Sequence, residues 1–142
     1  MLYLDTSVVV ALLTMEPRTT EVTEWFAELQ HAPVCSDWLL TEFSGAISMK
    51  VRIGQLSEAH AKRVRKEFGV LAAGGLRLVP VSRTAFGRAA EIVAKHKHAL
   101  RAGDSLHLAV ALELGADQMA TLDTTLAENA KRNGLELVRF GS

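Results

Sequence analysis

The chain has a single cysteine, Cys35, only three prolines and one tyrosine. A lone thiol forms no intrachain disulfide, so a reducing, cytoplasmic setting is the expectation and the fold must be held by its core. No secretory leader is expected: Val8 to Leu13 is apolar, but Asp5 precedes it and no basic residue does. No stretch approaches the roughly 20 apolar residues of a membrane span, so no membrane partner is expected. An excess of charge is also missing, since 16 Lys and Arg balance 16 Asp and Glu. That balance excludes a broad electrostatic grip on nucleic acid and leaves only local patches for it. Repeats, low-complexity tracts and linkers are absent as well. What remains is a 142-residue chain, 49% hydrophobic and 23% charged. Those values describe one globular domain over residues 1–142 with enough length for a sizeable core.

The first fourteen residues organise the rest. Leu2 to Leu4 is a short apolar run that breaks off at Asp5, and an apolar segment resumes after Thr6 and Ser7. This predicts a buried strand ending at Asp5 and a helix starting near Thr6 or Ser7. A strand apolar on both faces belongs inside a parallel sheet covered by helices. In such sheets ligands bind beyond the carboxyl ends of the strands.

Further on, Val22, Trp25, Phe26 and Leu29 recur at helical spacing, with Thr19 or Thr20 as the expected cap. Trp25 and Phe26 are read as core or subunit interface. Pro33-Val34-Cys35 predicts a second strand, and Ser36 or Asp37 can cap a helix with the stripe Leu39, Leu40, Phe43, Ala46 and Ile47, closed or interrupted at Gly54. Ser57 starts a helix with Ala61, Val64, Phe68 and Leu71 inward and Lys62, Arg63, Arg65 and Lys66 outward, stopped by Gly74-Gly75. Leu76 to Val81 predicts a third strand, placed at an edge or near its end by Pro80. Ser82 caps a helix carrying Phe86, Ala89, Ala90 and Val93, and Lys95 to Arg101 is a basic connection. A buried helix follows from about Gly103 to Leu114, then a strand from Gln118 to Leu122. Asp123 opens a helix to Arg132, and Leu135 to Phe140 predicts the last strand. This alternation implies an α/β fold with a parallel sheet.

Four acids, Asp5, Glu42, Asp104 and Asp123, follow or flank these strands and are read as converging. Asp5, Asp104 and Asp123 each have an ordinary alternative as helix caps. Glu42 is harder to explain in that way. It lies at the border of its helix's apolar stripe, partly desolvated, and the positions one turn away hold Trp38, Leu39, Gly45 and Ala46, none of them basic. Asp104 sits on a helix that looks buried on most faces. Acids brought together without basic partners repel one another and raise each other's pKa values. A divalent cation resolves the conflict, and an all-oxygen donor set favours Mg²⁺ or Mn²⁺ over zinc.

The segments Leu2-Tyr3-Leu4-Asp5-Thr6-Ser7, Glu42 within a helix, Leu100-Arg101-Ala102-Gly103-Asp104-Ser105-Leu106-His107-Leu108-Ala109, and Thr121-Leu122-Asp123 together resemble the acidic motifs of PIN-domain ribonucleases. In order, spacing and flanking residues they are most similar to the VapC-type toxins of toxin–antitoxin pairs, and the resemblance covers essentially the whole chain. It implies a three-layer domain whose five-stranded parallel sheet has the first strand at its centre. It also implies that Asp5, Glu42 and Asp104 are the core metal carboxylates and Asp123 the fourth acid, with Thr6 or Ser7 orienting Asp5 or touching the metal's waters and Thr121 supporting the site. The implied activity is Mg²⁺- or Mn²⁺-dependent cleavage of RNA, and the implied partners are a small cognate antitoxin and a second copy of the chain. Gly103 departs from the family's frequent Ala, which leaves the acids in place and suggests a looser helix start.

Other readings stay open at this level. A housekeeping PIN nuclease would carry the same acids. A phosphatase of the haloacid-dehalogenase type resembles this chain in its first strand but needs Asp-x-Asp, where Ser7 stands. A binding domain whose acids only cap helices has no reason to leave Glu42 unpaired. His107 is either an acid–base group or a packed histidine bonded to backbone. The basic faces at Lys62–Lys66 and Lys95–Arg101 are either solvated surface or contacts for RNA phosphates.

Overall fold

Tyr3 and Leu4 have no solvent exposure in the computed structural model, which describes residues 1–141. With Leu2 they form β1 (Leu2–Leu4), flanked on both sides by parallel neighbours. Tyr3 stands opposite Val34 of β2 (Val34–Ser36) on one side and opposite Met119 of β4 (Gln118–Ala120) on the other. β3 (Arg77–Val79) adds to β2, and β5 (Glu136–Leu137) adds to β4. All four pairings are parallel, and the order is β3-β2-β1-β4-β5. The first strand is therefore central, as its double-sided burial requires.

The helices are α1 (Thr6–Leu13), α2 (Thr19–Ala27), α3 (Trp38–Arg52), α4 (Glu58–Val70), α5 (Arg83–Ala94), α6 (Ala102–Glu113) and α7 (Thr124–Arg132). Together with the sheet they make the three-layer α/β domain. Among the described residues no helix is long and apolar enough to cross a membrane. The chain leaves β1 towards β2 and leaves β4 towards β5, in opposite directions. The carboxyl ends of β1 and β4 thus bound a crevice at the topological switch point.

Local chemistry explains where the elements stop. Ser57 and Ser82 cap α4 and α5 by accepting from the backbone N–H groups of His60 and Ala85. Gly54, at φ +81°, lets the chain leave α3 in a conformation that costs a side-chain-bearing residue energy. α4 ends in a wide π-type turn, Leu71–Gly75, where the two glycines halt the helix.

Several expectations change. Neither Thr19 nor Thr20 caps α2; Arg18 holds the cap position, and the Thr19 hydroxyl bridges the Glu16 N–H and the Thr14 carbonyl. Leu29 lies beyond that helix, in the turn that follows it. On α5 the buried stripe is Ala85, Ala89 and Ile92, while Phe86 is 52% exposed and Ala90 also faces solvent. The last three strands are shorter than the apolar runs that predicted them. Phe140 leaves the sheet and packs edge-on against Trp25, 5.0 Å between ring centroids, with the Arg18 guanidinium over its face. Apolar residues near a strand's end can be buried by a neighbouring helix as readily as by pairing, so run length overstates strand length.

Candidate active site

Asp5 is the first residue past β1. It occupies the cap position of α1, yet its carboxylate makes no cap bond. Ser7 Oγ instead donates to Oδ1 at 2.6 Å, and Thr121 Oγ1, just past β4, donates to Oδ2 at 2.8 Å. Ser7 Oγ accepts from the Leu122 N–H at 2.9 Å, and Thr121 Oγ1 from the Asp123 N–H at 3.1 Å. Two hydroxyls and two amides thereby lace the two sides of the crevice together, and Asp5 is 2% exposed at the bottom.

Glu42, from α3, turns Oε1 to the Thr6 hydroxyl at 2.6 Å and to His107 Nε2, also at 2.6 Å. His107 lies on α6 with no exposure, and its Nδ1 is 2.8 Å from the Tyr3 hydroxyl. Asp104 is in the first turn of α6 but does not cap it; Arg101 holds that position. Asp123 is the one acid of the four whose capping role is visible, with Oδ1 accepting from the Leu126 N–H at 2.8 Å. Its Oδ2 faces Arg101 Nη2 at 3.3 Å, and the same guanidinium reaches Asp104 at 3.8 Å. All four acids, with Thr6, Ser7 and Arg101, line a single open cavity of about 850 Å³.

The PIN domain family model matches residues 2–132. This chain is a PIN domain. No curated protein matches it in sequence. Among solved structures it is similar to the Mycobacterium tuberculosis VapC20 toxin, which cleaves the sarcin–ricin loop. That likeness has a TM-score of 0.74 at 17% identity and covers 91% of this chain and 95% of that one. FitAcB from Neisseria gonorrhoeae follows at 0.71 and 20% identity, covering 98% and 97%. VapBC2 from Rickettsia felis, bound to a DNA fragment from its promoter, has a TM-score of 0.71 at 14% identity and covers 99% of both chains.

In this PIN domain the carboxylates differ sharply in their proton affinity. Burial holds the Asp5 carboxyl above its ordinary value, against the nearby His107 and the two hydroxyl bonds. Asp104 is pushed from 3.8 to about 6, first by burial and then by the charges of Asp123 and Asp5, with Arg101 opposing. Glu42 goes the other way. Burial disfavours its charge, but the hydrogen bond and charge of His107, with the Thr6 bond, hold it below its ordinary value. Burial likewise opposes a charge on His107. Contacts with Cys35 and Glu42 and the field of Asp5 outweigh it and push His107 up to about 10. The Glu42 carboxylate, itself held below its ordinary value, is the negative charge bonded to the ring at 2.6 Å.

A divalent cation fits this donor set. The charges on Asp5, Asp104 and Asp123 are mutually unfavourable, and Arg101, 80% exposed, screens them only weakly. Among the described residues no three carboxylates already stand as a closed cage. An ion that keeps several waters and takes one or two carboxylates does not require one.

Four features of the site run against the sequence reading or lie outside it. Glu42 is not unpaired: His107 supplies the basic partner that its own helix lacks. His107 is packed, but against Tyr3, Thr6 and Glu42 and not against backbone. Thr6 serves Glu42, while Ser7 alone of the two serves Asp5. Gly103 also leaves room that Ala would take, since a Cβ there would lie 2.7 Å from Glu42 Oε2 and 3.2 Å from Trp38 Nε1. One signal was available beforehand: His107 stands three residues after Asp104 and shares its helix face.

Proposed function

We propose that this PIN domain is a Mg²⁺- or Mn²⁺-dependent endoribonuclease acting as the toxin of a toxin–antitoxin pair. The observation that carries the reading is one cavity holding four acids at the switch point, with the Asp104 carboxyl pushed up to about 6 by burial and then by its acidic neighbours. Asp5, Asp104 and Glu42 are the residues that would hold the cation, with Asp123 as the fourth acid. When bound, the cation supplies charge neutralisation at the phosphodiester oxygens and a water activated at neutral pH. The chain's own side chains do the rest. Ser7 and Thr121 hold Asp5 in one orientation, and Thr6 directs Glu42.

Two cations line the cavity, and they are not equivalent. Arg18 is committed to Glu21, at 2.8 and 3.1 Å, and to the Phe140 carbonyl. Arg101 is held only by acids that the metal would claim, so its guanidinium is the group available to an RNA phosphate at the site. The toxin role draws on the similarity to VapC20, FitAcB and VapBC2. It implies a small antitoxin that places a Lys or Arg among the uncompensated acids, and a homodimer in the cytoplasm.

The test is cleavage of RNA with Mn²⁺ or Mg²⁺, with and without chelator. Wild type should cleave only with the cation, and Asp5→Asn, Glu42→Gln and Asp104→Asn should be inactive. Asp123→Asn should be milder, because one of its oxygens is already spent on the helix cap. Undiminished cleavage in EDTA, or full activity in Asp104→Asn, rules out the mechanism. Growth arrest by wild type but not by Asp5→Asn, with co-purification of a small partner, tests the toxin role separately.

A further inference from the structure

His107 is a group in this region that the reaction as described does not use, and its surroundings are unusual for a packing residue. It is a fully buried polar side chain on a helix otherwise apolar at its buried positions, apart from Ser105. Both ring nitrogens are engaged: Nδ1 with Tyr3 at 2.8 Å, and Nε2 with Glu42 Oε1 at 2.6 Å and Thr6 Oγ1 at 3.1 Å. A carboxylate accepts and never donates, so Nε2 carries the hydrogen. Glu42 Oε1 therefore has two short donors, Thr6 and His107. Its other oxygen, Oε2, is the one beside Gly103, in the space that a Cβ would fill.

We propose that His107 is a positioning residue, which commits Glu42 Oε1 to the protein and leaves Oε2 as the oxygen offered to the cation. The geometry gives the reason. Glu42 comes from α3 and Asp104 from α6, so their separation depends on how two helices sit. His107 is one turn from Asp104 on the same face of α6 and is bonded to Glu42, which ties the two acids together. Tyr3, two residues before Asp5, holds the far side of the ring, so β1 is tied to the same point. An untethered glutamate has three rotatable bonds and would present either oxygen in many orientations. Groups that orient ligating side chains in this way are typically worth about 10- to 100-fold in metal affinity. The inference rests on the metal-dependent reading above, and its tests separate the two.

The main experiment is Mn²⁺ binding, followed by electron paramagnetic resonance, in wild type, His107→Phe and His107→Gln. Gln can place an N–H near the position of Nε2, whereas Phe fills a similar volume without a donor. His107→Phe should bind Mn²⁺ about 10- to 100-fold more weakly, while His107→Gln should stay close to wild type. A folded His107→Phe with wild-type affinity overturns the proposal. So does a Gln variant as weak as the Phe variant, which would show that ring packing and not the donor is what counts. If the Phe variant does not fold, nuclear magnetic resonance of the wild-type ring decides. The Nε2–H proton should be downfield, slow to exchange and shifted by Mg²⁺, and a resonance that saturating Mg²⁺ leaves unmoved overturns the proposal. A wild type that takes up no Mn²⁺ at all sinks the metal reading itself, and this inference with it.

Discussion

Gly103 shows how one missing methylene decides the site. A helix interior ordinarily favours Ala over Gly by up to about 1 kcal/mol. Here the added Cβ would meet Glu42 Oε2 at 2.7 Å. The carboxylate cannot simply retreat, because its other oxygen is held by Thr6 and His107 at 2.6 Å each. Overpacking of this kind costs about 1–3 kcal/mol, enough to cancel the helical preference. Gly103→Ala should therefore fail to stabilise the protein and should reduce the proposed RNA cleavage by displacing Glu42. A thermal melt and a cleavage assay check this together. A variant that melts higher than wild type and cleaves as well would show that the carboxylate has room to move.

Among the elements, the connection between α5 and α6 delivers Arg101 and Asp104 to the cavity. Ala99 within it takes a left-handed conformation, φ 54°, which a residue with a Cβ adopts only under constraint. The constraint comes from α7. Asn129 is 1% exposed and donates from Nδ2 to the His98 carbonyl at 3.1 Å and to the Thr125 carbonyl at 2.9 Å. Replacing it with Ala removes the side-chain donor to the His98 carbonyl from a buried position, at a cost of about 1–3 kcal/mol. Asn129→Ala should lower the melting temperature by several degrees and speed amide exchange around Ala99 to Arg101. An unchanged melting temperature would mean that the loop keeps its shape unaided.

At the scale of the whole molecule, the acidic cavity sets an unusual dependence of stability on pH. Asp104 has a folded value of about 6 against an ordinary 3.8, and Asp5 is raised as well. A raised carboxylate pKa penalises folding above the folded value, and the penalty fades as pH falls from about 6 towards 3.8. His107, raised from 6.5 to about 10, contributes stability that is complete below 6.5 and lost as pH rises through 10. Glu42 opposes them only in acid: its value is lowered from 4.5, so its contribution is lost as pH falls below that. Metal-free protein should thus be most stable between about pH 4.5 and 6 and weaken towards alkaline pH. Asp104→Asn should stabilise it at pH 7 by about 1 kcal/mol, once solvent screening of a partly exposed carboxylate is allowed for. Mn²⁺ should raise the melting temperature of wild type and do much less for the variant. Melts in EDTA and in Mn²⁺ across this range decide it, and a stability that climbs steadily from pH 5 to 8 contradicts the charge balance.

The local order of polar and apolar residues was enough to determine the alternation of strands and helices and the central place of β1, and to single out four acids, three of them at element ends and Glu42 inside α3. These depend on side-chain period and on where an apolar run is interrupted, both visible along the chain. Ser57 and Ser82 could be read as caps for the same reason, since a cap acts within one turn of itself. What the tertiary structure decided lies between elements. No spacing along the chain could pair Glu42 with His107, 65 residues away, or join Ser7 to Leu122 across the crevice. Nor could it show that Phe86 faces solvent while Phe140 packs on Trp25, because a single apolar residue at a stripe's edge fits either placement. Gly103 makes the same point at one position: along the sequence it weakens a helix, and only the approach of Glu42 makes the missing Cβ a requirement.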